Sequence, residues 1–141
     1  MAVEEGIINL FTQLIQRYTA SNASMPVYSD AFQEVNRVRD YLEAHYAKPV
    51  TLAQLASLVC ISPFHLTRLF ARHVGMPPHR YLESIRIRHA ERLLGRGTAI
   101  AEVAYATGFS GQSHLTRTFK RFIGTTPGAY LKQRKIMQDS R

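Results

Sequence analysis

HLTRLFARHVGMPPHRYL (residues 65–82) returns as HLTRTFKRFIGTTPGAYL (residues 114–131), and this repetition governs how the whole chain is read. Upstream of each copy lies a second matching pair, LAQLASLVCIS (residues 52–62) over IAEVAYATGFS (residues 100–110). The offset is 48 residues in the upstream pair and 49 in the downstream pair, so the second copy carries one extra residue at its turn. Each copy reads as a short helix, a tight turn, a longer helix and a Gly/Pro stop.

In the first copy Thr51 precedes the apolar series and Gln54 follows three residues later, a capping-box pattern; Leu52, Leu55, Ala56 and Val59 then recur at helical spacing. These signals predict a helix over residues 51–59. Ser62 caps the next helix, Pro63 takes its first position where a missing N–H costs nothing, and Leu66, Leu69, Phe70 and Val74 give it an apolar stripe. Gly75 stops it, and Pro77 and Pro78 restart the chain. The second copy repeats the scheme, with Thr98 as the expected cap and Ile100, Val103 and Ala104 inside. Gly108 takes the turn, and Leu115, Phe119 and Phe122 lie beneath its second helix.

Three further helical patterns surround the copies. Residues 30–46 align Val35, Val38, Leu42 and Tyr46, residues 78–94 align Leu82, Ile85, His89 and Leu93, and residues 127–135 form the last. No useful length alternates with period two. The expected fold is therefore all-α: two helix-turn-helix subdomains joined by a long linking helix, seven helices in all, plus an N-terminal amphipathic helix. The corresponding segments are 1–28 (amphipathic helix and linker), 29–77 (first subdomain), 78–97 (linking helix), 98–135 (second subdomain) and 136–141 (tail).

Composition agrees with a packed domain, since the 141 residues are 45% hydrophobic and 10% aromatic. The net charge of +8 is unevenly placed. Residues 51–135 hold thirteen Lys or Arg against Glu83, Glu91 and Glu102, a net of +10, whereas residues 1–50 hold four basic and six acidic groups, a net of −2. Such a block suits a polyanion, because each neutralised phosphate releases condensed counterions. An anionic membrane surface is the competing partner, but it would favour a lysine-rich amphipathic stripe over arginines set on helix-turn-helix faces. The single Cys60 excludes an intrachain disulfide and fits a reducing compartment, the cytoplasm. Glu4 and Glu5 stand where a signal peptide would carry basic groups, and no membrane-spanning run is present.

A helix-turn-helix presents its second helix to the major groove, where base edges carry a distinguishable donor and acceptor pattern. Both second helices suit the task. The first offers Phe64, Thr67, Arg68, Ala71 and Arg72 outward, and the second offers Gln112, Ser113, Thr116, Arg117, Lys120 and Arg121. Of these, Arg72, Lys120 and Arg121 are expected on phosphates. A linking helix of about 17 residues would be about 25 Å long, a rigid spacer for two helices entering successive major grooves about 34 Å apart.

The stretch GFSGQSHLTRTFKRFIGTTPGAYL (residues 108–131), the two units, and Arg86, Arg88, Ala90, Leu93 and Leu94 on the linking helix together resemble the DNA-binding domain of the AraC family. The resemblance covers residues 31–134. It implies a bacterial transcription regulator whose two units both contact double-stranded DNA, the first being the stronger base reader, with RNA polymerase a candidate partner. By position it makes Phe64, Thr67 and Arg68 base-facing in the first unit, and Gln112, Ser113, His114, Thr116 and Arg117 base-facing in the second. Two residues depart from the family pattern. Cys60 stands where glycine is usual and must adopt the turn conformation at about 1 kcal/mol. Phe64 has no hydrogen bond to offer and would read shape or a thymine methyl.

Outside the repeat, Ile7, Leu10, Phe11, Leu14, Ile15 and Tyr18 form an apolar helical stripe, followed by the linker-like Ser21, Asn22, Ala23, Ser24 and Pro26. In larger members of the family such a helix follows a cupin-like sensor domain and helps dimerise. The expected reading is a piece of a larger regulator lacking its effector-binding domain, forming a homodimer through residues 6–20; the other is a bare DNA-binding domain.

The remaining chemistry is sparse. Six histidines and Cys60 show no HxxxH or CxxC pairing, so no metal and no cofactor is expected. Cys60, between Val59 and Ile61, is expected to be buried and inert. No paired carboxylates, phosphate-cradling loop or nucleophile triad argues for an enzyme. The alternative function is a DNA-targeting module of a larger nucleic-acid-acting enzyme.

Overall fold

Side-chain caps and glycine or proline stops divide the chain into helices. The computed structural model describes residues 24–141, with side chains from Asp30 onward. Seven helices lie among the described residues: α1 (Ser24–His45), α2 (Leu52–Val59), α3 (Pro63–Val74), α4 (Pro78–Gly95), α5 (Ile100–Ala106), α6 (Gln112–Ile123) and α7 (Pro127–Asp139). The all-α expectation holds, with no strand among them. The amphipathic stripe of residues 6–20 lies outside the described residues.

The predicted caps form where the hydroxyls stand. Thr51 Oγ1 accepts from the Gln54 N–H at 3.2 Å while Gln54 Oε1 accepts from the Thr51 N–H at 3.0 Å, closing the capping box of α2. Ser62 Oγ accepts from the His65 N–H at 3.1 Å with Pro63 opening α3, and Thr126 does the same for α7 ahead of Pro127.

Three boundaries differ from expectation. The cap of α5 is Ala99, not Thr98, and no side chain bonds the helix there. The 48-residue offset from Thr51 falls on position 99, so the second copy has replaced its cap hydroxyl with a methyl. Helix α1 starts at Ser24 instead of residue 30, because Pro26 lies in its first turn, where no N–H partner is required. Helix α7 runs on to Asp139, since nothing in Lys135–Asp139 breaks it.

The interior divides into two clusters. Val35, Val38, Leu42, Leu55, Ala56, Val59, Leu66 and Phe70 close the first against Leu82 and Ile85. Val103, Ala104, Phe109, Leu115 and Phe119 close the second against Ile87, Ala90 and Leu94. Both clusters therefore use α4 as a wall, and its 18 residues give a length of about 27 Å. The repeat persists in the packing. Phe70 meets Tyr81 edge-on at 5.5 Å, and Phe119 meets Tyr130 in the same way at 5.4 Å, each pair contributing about 1 kcal/mol beyond its area.

Polar contacts tie the units across α4. Arg86, 7% exposed, donates from Nε to the Tyr46 carbonyl at 2.8 Å and from Nη2 to the Lys48 carbonyl at 3.1 Å, while its guanidinium lies over the Phe109 ring. Burial pulls its pKa below the usual arginine range, and the charge of Glu83 opposes that shift. Tyr46 also stacks on His89 with ring centroids 3.9 Å apart. The end of α1 is thus bound both to the linking helix and to the turn of the second unit.

That closeness separates the two turns. Gly108 has φ +88°, and a Cβ there would stand 2.8 Å from the Tyr46 carbonyl oxygen and 3.1 Å from the Ala47 carbonyl carbon. Cys60, its counterpart in the first unit, takes a left-handed conformation at φ 58° and ψ 37°. Contrary to expectation it is exposed, because no other element covers this turn, and its Sγ reaches only the Ser57 carbonyl. A side chain is tolerated at 60 because it enters solvent and excluded at 108 because backbone is in the way.

Replacing Gly108 with Ala is expected to destabilise the fold by about 3 kcal/mol or more, combining a left-handed strain with a backbone clash. Gly124→Ala, also left-handed at φ +95° but with open space beside it, should cost about 1 kcal/mol. Urea denaturation of the two variants checks this; equal losses would contradict the clash.

Candidate nucleic-acid interface

Helices α3 and α6 each have one buried stripe, which determines what the other faces present. In α3, Leu66 and Phe70 are fully buried, and Phe64, Arg68 and Arg72 are exposed. Phe64 is 72% exposed, an unusual position for a large aromatic on a surface helix. The Arg68 guanidinium carbon lies 5.7 Å from its ring centroid, so the ring supports the charge one turn away. Thr67 sits on the flank, half-buried, donating its hydroxyl to the Pro63 carbonyl at 2.9 Å. His65, Leu69 and Ala71 complete a shallow furrow along this face with Phe64, Arg68 and Arg72.

In α6, Leu115, Thr118 and Phe119 are buried and Gln112, Ser113, Arg117 and Lys120 are exposed. Gln112 and Ser113 occupy its first turn, the end that reaches base edges when such a helix enters a groove. Thr116 is half-buried beside them. Arg68 and Arg117 stand 49 positions apart, at matching places in the repeat.

Two residues expected on the DNA side also make contacts within the protein. His114 Nδ1 lies 3.4 Å from the Ser110 backbone N–H and 3.1 Å from its hydroxyl, and its ring packs edge-on against Phe109 at 5.0 Å. Because the backbone N–H can only donate, Nδ1 accepts and the neutral ring carries its proton on Nε2. Gly111, the N-cap of α6, has no side chain, so no side chain caps this helix; His114 instead ties the helix back to the turn residue Ser110 ahead of it. Arg121 Nη2 donates to both carboxylate oxygens of Glu83, each at 2.9 Å. The signal was present in the spacing: His114, Thr118 and Arg121 share one helical stripe with a buried residue at its centre. Glu83, buried among basic neighbours on α4, was not anticipated.

Among the described residues no cluster of His, Cys, Asp or Glu could hold a metal ion, and no helix is long and apolar enough to cross a membrane.

Known proteins agree with this geometry. A helix-turn-helix domain family model matches residues 55–133. The HTH-type transcriptional regulator YbfI of Bacillus subtilis is 43% identical over 112 residues, which are 78% of this chain and 40% of that protein. The chain thus spans less than half the length of this relative. Among solved structures, the DNA-binding domain of AdpA, a global transcriptional factor in complex with a target DNA, superposes with a TM-score of 0.70 at 25% identity, covering 76% of this chain and 97% of that one. A probable AraC family transcriptional regulator from Rhodopseudomonas palustris superposes at 0.65 with 30% identity, covering 72% and 96%.

Two histidines give the fold a pH dependence with a definite sign. Burial lowers the pKa of His114, with Arg117 and Arg86 adding to the shift and Glu83 opposing it; burial likewise lowers His89 beneath the Tyr46 ring. A histidine lowered in the folded state takes its proton first in the unfolded chain. Its stabilising contribution is thus complete above the ordinary value of 6.5 and is lost as pH falls below it. Urea midpoints at about pH 7.5 and about pH 5.5 should show the loss, and the double variant His89→Gln/His114→Gln should show less of it. An identical pH response in the double variant would contradict the assignment.

Proposed function

The chain belongs to the AraC family of helix-turn-helix DNA-binding transcription regulators, and from that premise we propose that it reads a double-stranded site by setting α3 and α6 into successive major grooves on one face of the duplex. The observation that carries this is the repeated arginine: Arg68 and Arg117 stand exposed at matching places on the second helix of each unit. Their helices share a wall, α4, of about 27 Å, which with the width of the flanking helices suits the spacing of about 34 Å between grooves.

The base-facing set is Phe64, Thr67 and Arg68 in the first unit, and Gln112, Ser113, His114, Thr116 and Arg117 in the second. Phosphate contacts come from Arg72 and Lys120. Arg121, tied to Glu83, also stands on this side and is treated below. The two units read differently. Phe64 with Arg68 suits a thymine methyl beside a guanine, whereas Gln112 and Ser113 suit hydrogen bonding to base edges. This activity belongs in the cytoplasm. RNA polymerase, a second copy joined through residues 6–20, and an effector-binding domain are the further partners of the reading, and the greater length of YbfI supports the last.

Arg68→Ala is expected to weaken the selected site by about 1–3 kcal/mol and to relax sequence preference. Lys120→Ala should weaken all duplexes alike and reduce the salt slope by about one. Titration of specific and random DNA over a range of salt separates the two; equal loss on both duplexes for Arg68→Ala would overturn its role as a base reader. Replacing thymines in the site one at a time by deoxyuridine tests Phe64. One position should lose affinity in the native chain and lose nothing further in Phe64→Ala, and insensitivity at every position would remove the methyl contact.

A further inference from the structure

Residues 51–135 contain only three acidic groups, and one of them, Glu83, is buried. Its carboxylate faces Arg121 across the contact between α4 and α6, with His79 Nε2 3.6 Å away on the preceding turn. Arg72, at the matching place in α3, is exposed. The pair thus belongs to the second unit alone.

We propose that the Glu83–Arg121 ion pair is an orientation latch, which fixes the angle of α6 against α4 and thereby the number of base pairs accepted between the two blocks of the site. The inference rests on the DNA-reading function above. Leu115 and Phe119 hold α6 against Ile87 and Ala90 by apolar contact, which is non-directional and tolerates rotation. A single guanidinium nitrogen held by both oxygens of a buried carboxylate does not, because breaking it leaves a desolvated charge without its partner. The pair sits near the C-terminal end of α6, and the base-facing Gln112 lies nine residues away, about 13 Å along the helix axis. A swing of about 15° moves that end by about 3.4 Å, which is one base step. Arg121 therefore acts as a positioning residue, and neutralisation by Glu83 removes it from the count of charges that release counterions.

The test uses the full 141-residue chain and sites selected from random duplexes, followed by affinities for the preferred site and for versions lengthened or shortened by one base pair between its blocks. The native chain should prefer one spacing. Glu83→Gln, close in shape but uncharged, should lower discrimination between spacings by about tenfold, or about 1.4 kcal/mol. Should Glu83→Gln lose its helical circular dichroism, Arg121→Lys serves instead: it keeps a charge for any phosphate but loses the shared geometry, so discrimination should again fall. Unchanged discrimination in both folded variants, or a salt slope lower by about one in Arg121→Ala with discrimination intact, would overturn the latch. Failure of the native chain to select a two-block site would overturn the parent reading instead.

Discussion

Arg86 is the residue on which the arrangement of the two units depends. A guanidinium inside a protein must have its donors satisfied, and here they go to the backbone carbonyls of Tyr46 and Lys48, just past the end of α1. Those carbonyls belong to the first unit, while the Phe109 ring under the same guanidinium and the Gly108 turn beside it belong to the second. One side chain on the linking helix thus satisfies groups that would otherwise be stranded at the seam. The shared wall of α4 brings the two cores side by side, and Arg86 sets how they meet. These two features together set how α3 and α6 stand relative to each other.

The repeat has diverged where the units face different surroundings. The turn at Cys60 opens to solvent and accepts a side chain, whereas the turn at Gly108 is pressed against backbone and accepts none. The first unit keeps hydroxyl caps at Thr51 and Ser62; the second has Ala99 and Gly111 in their places, with no side-chain cap at either. Packing against α4 lets the second unit do without caps that an isolated short helix would need. The exposed surfaces diverged as well, toward an aromatic and arginine pair in α3 and toward a polar first turn in α6.

Much of this was legible in the residues. Periodicity, caps and stops located all seven helices, because each signal is local, and the buried stripes of α3 and α6 determined which residues point outward. Thr98 reads as a cap because a hydroxyl near a helix start is a strong signal, and only the register of the repeat shows that position 99 is the equivalent one. Cys60 was expected inside because its neighbours are apolar, but a left-handed residue at a helix end projects away from the stripe those neighbours form. Glu83 with Arg121 and Arg86 with the Tyr46 carbonyl could not be read at all. Both join residues about 40 positions apart, and no local pattern reports such a pairing.

The central claim is that α3 and α6 engage DNA as one rigid body through successive grooves. Hydroxyl-radical footprinting of the native chain on its selected site tests it directly. Two protected patches on the same face of the duplex, their centres about 10 base pairs apart, are the expected result. A single patch, or two patches on opposite faces, would contradict it.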